Sequence, residues 1–454
     1  MSTPSPASEA DGAAAVKLPR EIKVLVAAAF LIAIGFGIVA PVLPQFAQSF
    51  HVSVGAAAVV VSVFAFTRLV FAPLSGVLVE RLGERRTYIL GILIVAASSA
   101  ACAFAQNYWQ LLLFRGLGGI GSTMFTVSAM GLLIRLAPPQ ARGKVSSLYA
   151  GSFLLGNITG PAAGGLLAGF GLQLPFLVYA GALVLVALLV ATQLPAAVPA
   201  PAEAAEPAGV QAVAQGPGLE GAAAAGPLPA SGTGPAQGAG PAQGAGPAQG
   251  AGPAQGAGKQ APLLLRAALG IPAYRAVLAS SFANGWSAFG IRMALVPLFA
   301  TAALGAGPEV AGISLAVFAI GTGIALMFSG RLADTWGRKP MILLGLLVNG
   351  LGMGVLGFTG DVFWFFAVSL VAGLGSGLMG PAQQATVADV IGNERSGGKV
   401  LATFQMCSDF GAIIGPIAAG YLVDLFSYGL AFSMATVVAL VAVVFWLPAA
   451  ETQR

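Results

Sequence analysis

The apolar residues of this chain come in long unbroken runs. Twelve stretches, roughly residues 24–46, 54–78, 88–105, 109–134, 146–170, 174–194, 275–302, 310–330, 340–359, 362–387, 400–423 and 429–448, are mostly apolar. About twenty such residues, at 1.5 Å per residue, carry a helix across the hydrocarbon core of a bilayer. A lipid-facing barrel strand would alternate over about ten residues instead. In lipid each backbone polar group must be satisfied within its own segment, so the runs predict helices. Between Leu194 and about Leu263 they stop, and twelve prolines stand among Ala, Gly and Gln. From Gly234 the hexapeptide Gly-Pro-Ala-Gln-Gly-Ala repeats four times. It lacks collagen's glycine at every third position and the apolar positions of a solenoid. The segment reads as a flexible linker with an end-to-end distance of about 45 Å.

Composition then removes the alternatives. The 454 residues are 57% hydrophobic and 8% charged, against about 25% charged in a soluble protein. No soluble surface can be built from that. Of the 21 lysines and arginines, all but Arg68, Arg115 and Arg292 fall in the tails, the linker and the alternate loops that share one side. His51, Glu309, Asp361 and Asp424 fall on the other side. The positive-inside rule therefore predicts an even number of crossings with both termini cytoplasmic. The pI of about 9.4 is a topology signal, and no nucleic-acid partner is expected. Residues 1–20 carry Glu9 and Asp11 without an apolar core, which predicts a disordered tail rather than a signal peptide. The expected order is tail 1–20, six-helix bundle 21–194, disordered cytoplasmic linker 195–263, six-helix bundle 264–449 and tail 450–454.

The two halves repeat each other. Gly76-Val-Leu-Val-Glu80-Arg81-Leu-Gly83-Glu84-Arg85 returns 254 residues later as Gly330-Arg-Leu-Ala-Asp334-Thr-Trp-Gly337-Arg338-Lys339. Gly143-Lys144-Val145 returns as Gly398-Lys399-Val400, and Gly156-x-x-x-Gly160-Pro161 as Gly411-x-x-x-Gly415-Pro416, each 255 residues later. Two six-helix halves in the same orientation imply a pseudo-twofold axis along the membrane normal and a central cavity between them.

At these residues the chain resembles the major facilitator superfamily. The segments at Gly76 and Gly330 are similar to its signature Gly-x-Leu-x-Asp-Arg-x-Gly-Arg-Lys, read here as gating loops after spans 2 and 8. The first copy departs from the pattern, with Glu80 at the Asp position and Glu84 at a normally basic one. Span 5 carries Gly156-Asn-Ile-Thr-Gly160-Pro161-Ala-Ala-Gly164-Gly165, which resembles the signature of the superfamily's drug/proton antiporters. Small residues four apart also suit ordinary close helix packing. Leu111-x-x-x-Arg115-Gly116-x-Gly118 resembles a third signature, whose arginine the family links to proton coupling. A guanidinium at that position could equally snorkel to the nearer interface.

Asp409 is the only acid well inside a predicted span, and span 1 lacks the acid that many relatives carry there. Arg68 and Asp409 lie about 12 and 15 Å above the basic surface at 1.5 Å per residue. The resemblance makes spans 2 and 11 neighbours, so an ion pair between the halves is expected there in at least one state of the cycle. The alternative is that each charge is satisfied within its own half, by backbone carbonyls or hydroxyls. Arg115 and Asp409 are coupling candidates. Asn284, Trp286, Phe289, Arg292, Gln383, Gln384 and Gln405 are candidate substrate-cavity groups, each open to a packing role instead.

The resemblance implies an all-α integral membrane fold of twelve helices in two pseudo-symmetric bundles. It also implies a secondary active transporter of the cell inner membrane that exports drug-like or amphipathic molecules by alternating access in exchange for protons. The alternative is a proton-coupled uptake symporter of a small metabolite or sugar, and a non-transporting receptor on the same fold is a third reading. The chain has no phosphate loop ending in Lys-Ser or Lys-Thr, so an ion gradient is the expected energy source. An intramembrane enzyme would have to use Asp409 or a serine without a buried histidine, and Cys102 and Cys407 lack metal-ligand spacing. No catalytic residue, metal or cofactor is expected. The expected partners are a small-molecule substrate, the bilayer and protons, around a monomer.

Overall fold

The computed structural model describes residues 18–138, 141–194, 263–392 and 397–452. The tail 1–17 and the repeats of the linker lie outside them. Twelve long helices account for the twelve apolar runs. The first half comprises α1 (Arg20–Gln48, broken at residues 40–42), α2 (Val54–Leu82), α3 (Glu84–Ala103), α4 (Tyr108–Leu136), α5 (Arg142–Ala168) and α6 (Leu174–Gln193). The second comprises α7 (Pro272–Ala302), α8 (Pro308–Trp336), α9 (Arg338–Leu356), α10 (Val362–Ile391), α11 (Gly398–Leu425) and α12 (Tyr428–Trp446). Eleven are apolar enough to cross a membrane by length and composition. The other, α5, has 27 residues, and the Ser, Asn, Thr, Gly and Pro of its packing faces dilute its hydropathy.

Several helices run further than hydropathy marks, because their last turns leave the hydrocarbon and carry charge without losing helical hydrogen bonds. This corrects the gating loops. Gly76–Leu82 and Gly330–Trp336 are the closing turns of α2 and α8. Each connection to the next helix is a single glycine, Gly83 at φ 80° and Gly337 at φ 101°, a conformation that disfavours a side chain. At the opposite end, side chains cap four helices: Ser53, Asn107, Asp361 and Ser427 accept from the backbone N–H three residues on. Asn107 and Asp361 are pseudo-equivalent, 254 residues apart. The bundle thus has a basic end, with Arg81, Arg85, Arg86, Arg331, Arg338 and Lys339, and an acidic end, with Glu309, Asp361 and Asp424.

Within each half the same partners recur: α1 with α5, α3 with α4, α2 with α4, and correspondingly α7 with α11, α9 with α10 and α8 with α10. The halves meet along α2 with α11 and α5 with α8. On α2 the seam follows Gly55, Ala58, Ser62, Ala65, Leu69, Ala72 and Gly76, the alternating three- and four-residue steps of one helix face. At the acidic end the backbones touch. A Cβ on Gly420 would lie 2.8 Å from Gly55 Cα, and one on Gly312 2.2 Å from the Pro161 carbonyl oxygen. Asp424 at the end of α11 accepts from the N–H groups of Val54 and Gly55 at 2.9 and 2.8 Å, so its charge sits on the α2 dipole. Ser62 Oγ donates to the Ile413 carbonyl at 2.8 Å.

Toward the basic end the seam widens. A Cβ on Gly323 would approach only side-chain tips, Leu154 at 3.6 Å and Ile158 at 3.9 Å. The places of Gly76 and Gly330, two turns further, have no atom within 4 Å. The halves form a wedge, shut at the acidic end and open at the basic end.

The Gly156–Gly165 motif serves two contacts. Gly156, Gly160 and Gly164 face α1, where a Cβ on Gly164 would lie 2.1 Å from the Ile38 carbonyl oxygen. Gly165 faces Pro308 and Glu309 of α8 across the seam. Gly164→Ala should lower stability by about 1–3 kcal/mol through overpacking, whereas Gly151→Ala, with no atom within 4 Å, should be neutral. Thermal unfolding of the two variants in detergent checks the difference.

Candidate functional site

Three arginines and one acid enter the bundle, and the structure sorts them into two levels. Arg68 and Asp409 line one small cavity with Leu69, Ala72, Thr123, Thr126 and Val127. Its volume is about 20 Å³, room for about one water. Thr123 Oγ1 donates to the Arg68 carbonyl at 3.1 Å, which fixes α2 against α4 beside the charge. Gln405, one turn before Asp409, reaches its carboxyl. No contact of 4.0 Å or less joins the guanidinium to the carboxylate among the described residues. The expected neighbours therefore share one cavity without forming a direct ion pair here.

Nearer the acidic end, Arg115 and Arg292 are both buried, at 7% and 6% exposure. Each guanidinium lies 4.1 Å from a phenylalanine ring centroid, Arg115 over Phe64 and Arg292 over Phe318. Phe64 and Phe318 are 254 residues apart and pseudo-equivalent, while the two arginines come from non-equivalent helices. Arg292 Nε also donates to the Ala288 carbonyl at 2.7 Å. Arg115 Nε is buried without a partner. Arg115 lines a second cavity, of about 40 Å³, with Phe36, Phe64, Phe289 and Met293.

The remaining candidates separate by contact. α7 carries a π-turn at Gly285–Ile291, which widens the helix where it meets α11: a Cβ on Gly285 would lie 1.9 Å from the Ser408 carbonyl oxygen. The turn directs Phe289 to the Arg115 cavity, while Trp286 packs against Phe282 and the α11 backbone at Gly411 and Gly415. Asn284 Oδ1 accepts from Ser376 at 3.2 Å. Ser287 Oγ donates to Asn349, whose amide donates to the Ala372 carbonyl. Gln383 is buried with Nε2 unpartnered, and Gln384 is half-buried. Phe36, Phe64, Tyr179 and Met293, not singled out by sequence, stand at the same level. Phe64 carried one signal, its equivalence to Phe318 across the repeat.

A family model described as the Major Facilitator Superfamily matches residues 25–272 and 277–454. The chain belongs to the Major Facilitator Superfamily. It is 29% identical over 164 residues to Multidrug resistance protein 2 of Bacillus subtilis, covering 36% of this chain and 41% of that protein. It is 29% identical over 168 residues to Quinolone resistance protein NorA of Staphylococcus aureus, covering 37% and 43%. The matches thus span about two fifths of these relatives. A solved bacterial homolog to the human lysosomal transporter Spinster, inward-facing and unoccupied, superposes with a TM-score of 0.68 at 16% identity. It covers 94% of this chain and 95% of that one. The shared fold is the twelve-helix fold of the superfamily, a multi-pass membrane architecture of transporters rather than enzymes.

Within this Major Facilitator Superfamily chain, the irregular first copy of the Gly76 motif now has a physical reading. Glu84 at the start of α3 pairs with Arg135 at the end of α4, Nε to Oε1 at 2.8 Å. In the second half Arg338 at the start of α9 pairs with Asp389 at the end of α10. Positions 84 and 338, and 135 and 389, are each 254 apart, so one ion pair occurs in both halves with its polarity reversed. The next residue is equivalent too. Arg85 donates to the Ala191 carbonyl at the end of α6, and Lys339 to the Ala449 carbonyl beyond α12, each at 2.6 Å. Glu80 and Asp334 are exposed at the basic end.

Glu84→Arg should therefore destabilise the first half, and adding Arg135→Glu should recover most of the loss. A double-mutant cycle by thermal unfolding should give a coupling of about 0.5–1 kcal/mol, as for a half-exposed pair. A coupling of zero would remove the pair from any structural role.

Proposed function

We propose that the chain is a secondary active exporter of drug-like, amphipathic small molecules, working by alternating access across the cell inner membrane in exchange for protons. The observation that carries this reading is the wedge-shaped seam, closed by backbone contact at the acidic end and open at the basic end. The positive-inside rule puts the basic end in the cytoplasm, so this is an inward-open state. The likeness to Multidrug resistance protein 2 and NorA over part of their length favours drug-like substrates and export. Arg68 and Asp409 supply a coupling element: a carboxylate and a guanidinium on opposite halves, in one cavity, whose separation must change as the seam closes. Protonation of Asp409 removes their attraction, which gives a proton leverage over the position of the halves.

Closing the basic end must bring helices against Gly76 and Gly330. Leucine at both positions should leave folding and the inward-open state intact, because nothing occupies their surroundings now, and should abolish transport by blocking closure. Substrate binding retained with turnover lost is the expected pattern. Undiminished turnover would show that the basic end does not close at these glycines.

Purified protein in liposomes should drive a fluorescent drug against its gradient when a pH gradient is imposed, and collapse of that gradient should stop it. Accumulation in the direction of proton flow would establish the uptake symporter instead. Arg68→Asp and Asp409→Arg should each lose most activity, with partial recovery in the double swap. Additive loss would exclude their interaction from coupling.

A further inference from the structure

The cavity at the apex of the wedge has an electrostatic character that the drug-export reading leaves unspecified. Arg115 is more than nine-tenths buried, and among the described residues its guanidinium forms no hydrogen bond and no ion pair. Its electrostatic neighbours are the Cys102 thiol and the Tyr179 phenol, neither a carboxylate. Asp409 belongs to the other cavity, with Arg68. A guanidinium stays protonated and offers five N–H donors. Of these, the Nε–H is shut away from water without an acceptor, which is costly, while the terminal N–H groups are not sealed in and line the cavity. The ring of Phe64 offsets part of that cost by cation–π attraction, but a π face accepts no fork of hydrogen bonds.

The walls around Arg115 are aromatic and apolar. Phe36 and Phe64 come from the first half, and Phe289 and Met293 from the second. The cavity lies immediately below the closed contact of Ser62 with Ile413. The seam widens from there toward the basic end, past Arg68. A molecule entering from the basic end therefore meets one arginine opposed by an acid, then a second arginine with no acid beside it among the described residues, framed by aromatic rings.

We propose that the apex is the head-group subsite for an amphipathic organic anion, a carboxylate bearing an aromatic ring, whose carboxylate is held in the fork of Arg115 while its ring lies among Phe36, Phe64 and Phe289. This rests on the export reading and names its substrate class. A planar carboxylate matches the guanidinium fork with two parallel hydrogen bonds and satisfies the donors that the chain leaves open. A cationic drug would be repelled by Arg115 and meet no acid at the apex. At about 40 Å³ the cavity accepts the carboxylate and the near edge of its ring, with the rest of the molecule lying down the open wedge.

The test uses the full chain in lipid nanodiscs with three fluorescent probes sharing one ring system: dansylglycine, its neutral methylamide and the cationic dansylcadaverine. The carboxylate should bind about tenfold or more tighter than the amide, a factor that corresponds to about 1.4 kcal/mol, and the cation weakest. Arg115→Gln should abolish the preference while leaving amide binding within about twofold, and Arg115→Lys should keep only part of it because an ammonium lacks the fork. Equal or tighter binding of the amide or the cation by the unmodified protein overturns the proposal, whether or not the variants fold. The two readings fail separately. Gradient-driven export of a cationic dye without carboxylate preference sinks this inference and leaves export standing, and carboxylate-selective binding without transport does the reverse.

Discussion

Backbone-to-backbone contact between small residues is what the seam rests on. In lipid there is no hydrophobic gain in pressing one apolar helix on another, so association depends on close packing and on hydrogen bonds across helices. The acidic end supplies both. Gly55 meets Gly420, Gly312 meets Pro161, and Asp424 of one half terminates α2 of the other. None of these contacts interlocks large side chains. Two nearly flat glycine surfaces can part without dragging side chains through a core, and a carboxylate on a helix N-terminus can exchange its two N–H partners for water. The same composition that makes the contact tight makes it reversible, as a pair of halves that must alternate requires.

The wedge also decides which charges can remain buried. Where the seam is shut, a lone carboxylate or guanidinium would have no water, and the polar groups described there are bonded to backbone, Ser62 to the Ile413 carbonyl and Asp424 to the N–H groups of Val54 and Gly55. Arg68 and Asp409 sit lower, half-buried at the open side, where water and each other's charge are within reach. Arg115 stands between these regimes, with its Nε shut away from water and no carboxylate beside it among the described residues.

Much of the architecture is legible in the sequence because its causes are local and repeated. The apolar runs mark the helices, the basic residues mark one end, and the 254-residue offset forces two similar halves. The helix ends look like loops in the sequence because hydropathy registers the hydrocarbon slab and not the hydrogen bonds that carry α2 on to Leu82. The site was legible only in part. Arg68, Arg115 and Asp409 stand out because charge is scarce in apolar runs, and their depths follow from helical rise. Phe36, Phe64 and Met293 do not, since an aromatic or Met in a membrane helix looks the same whether it faces lipid, core or cavity. The reversed ion pair shows the limit most clearly. Glu84 looks like a defect in a motif until Arg135, 51 positions later, is seen beside it, and only then does the repeat explain both.

The sign of the substrate's charge bears on how the proposed exchange would be driven. A proton entering as a monovalent cation leaves moves no net charge, so the membrane potential contributes nothing and the pH gradient alone does the work. A proton entering as a carboxylate leaves moves two positive charges inward per cycle. At about 2.3 kcal/mol per charge for each 100 mV, an inside-negative potential of that size then adds about 4.6 kcal/mol. A cavity with an acid-free arginine at its apex and one opposed arginine on the way to it suits that second case. Asp409 could then be the only titrating group the cycle uses, because the potential carries much of the load that a second carboxylate would otherwise have to couple. The scarcity of acids within the spans of the first half is on this account the electrostatic condition for binding an anion at all.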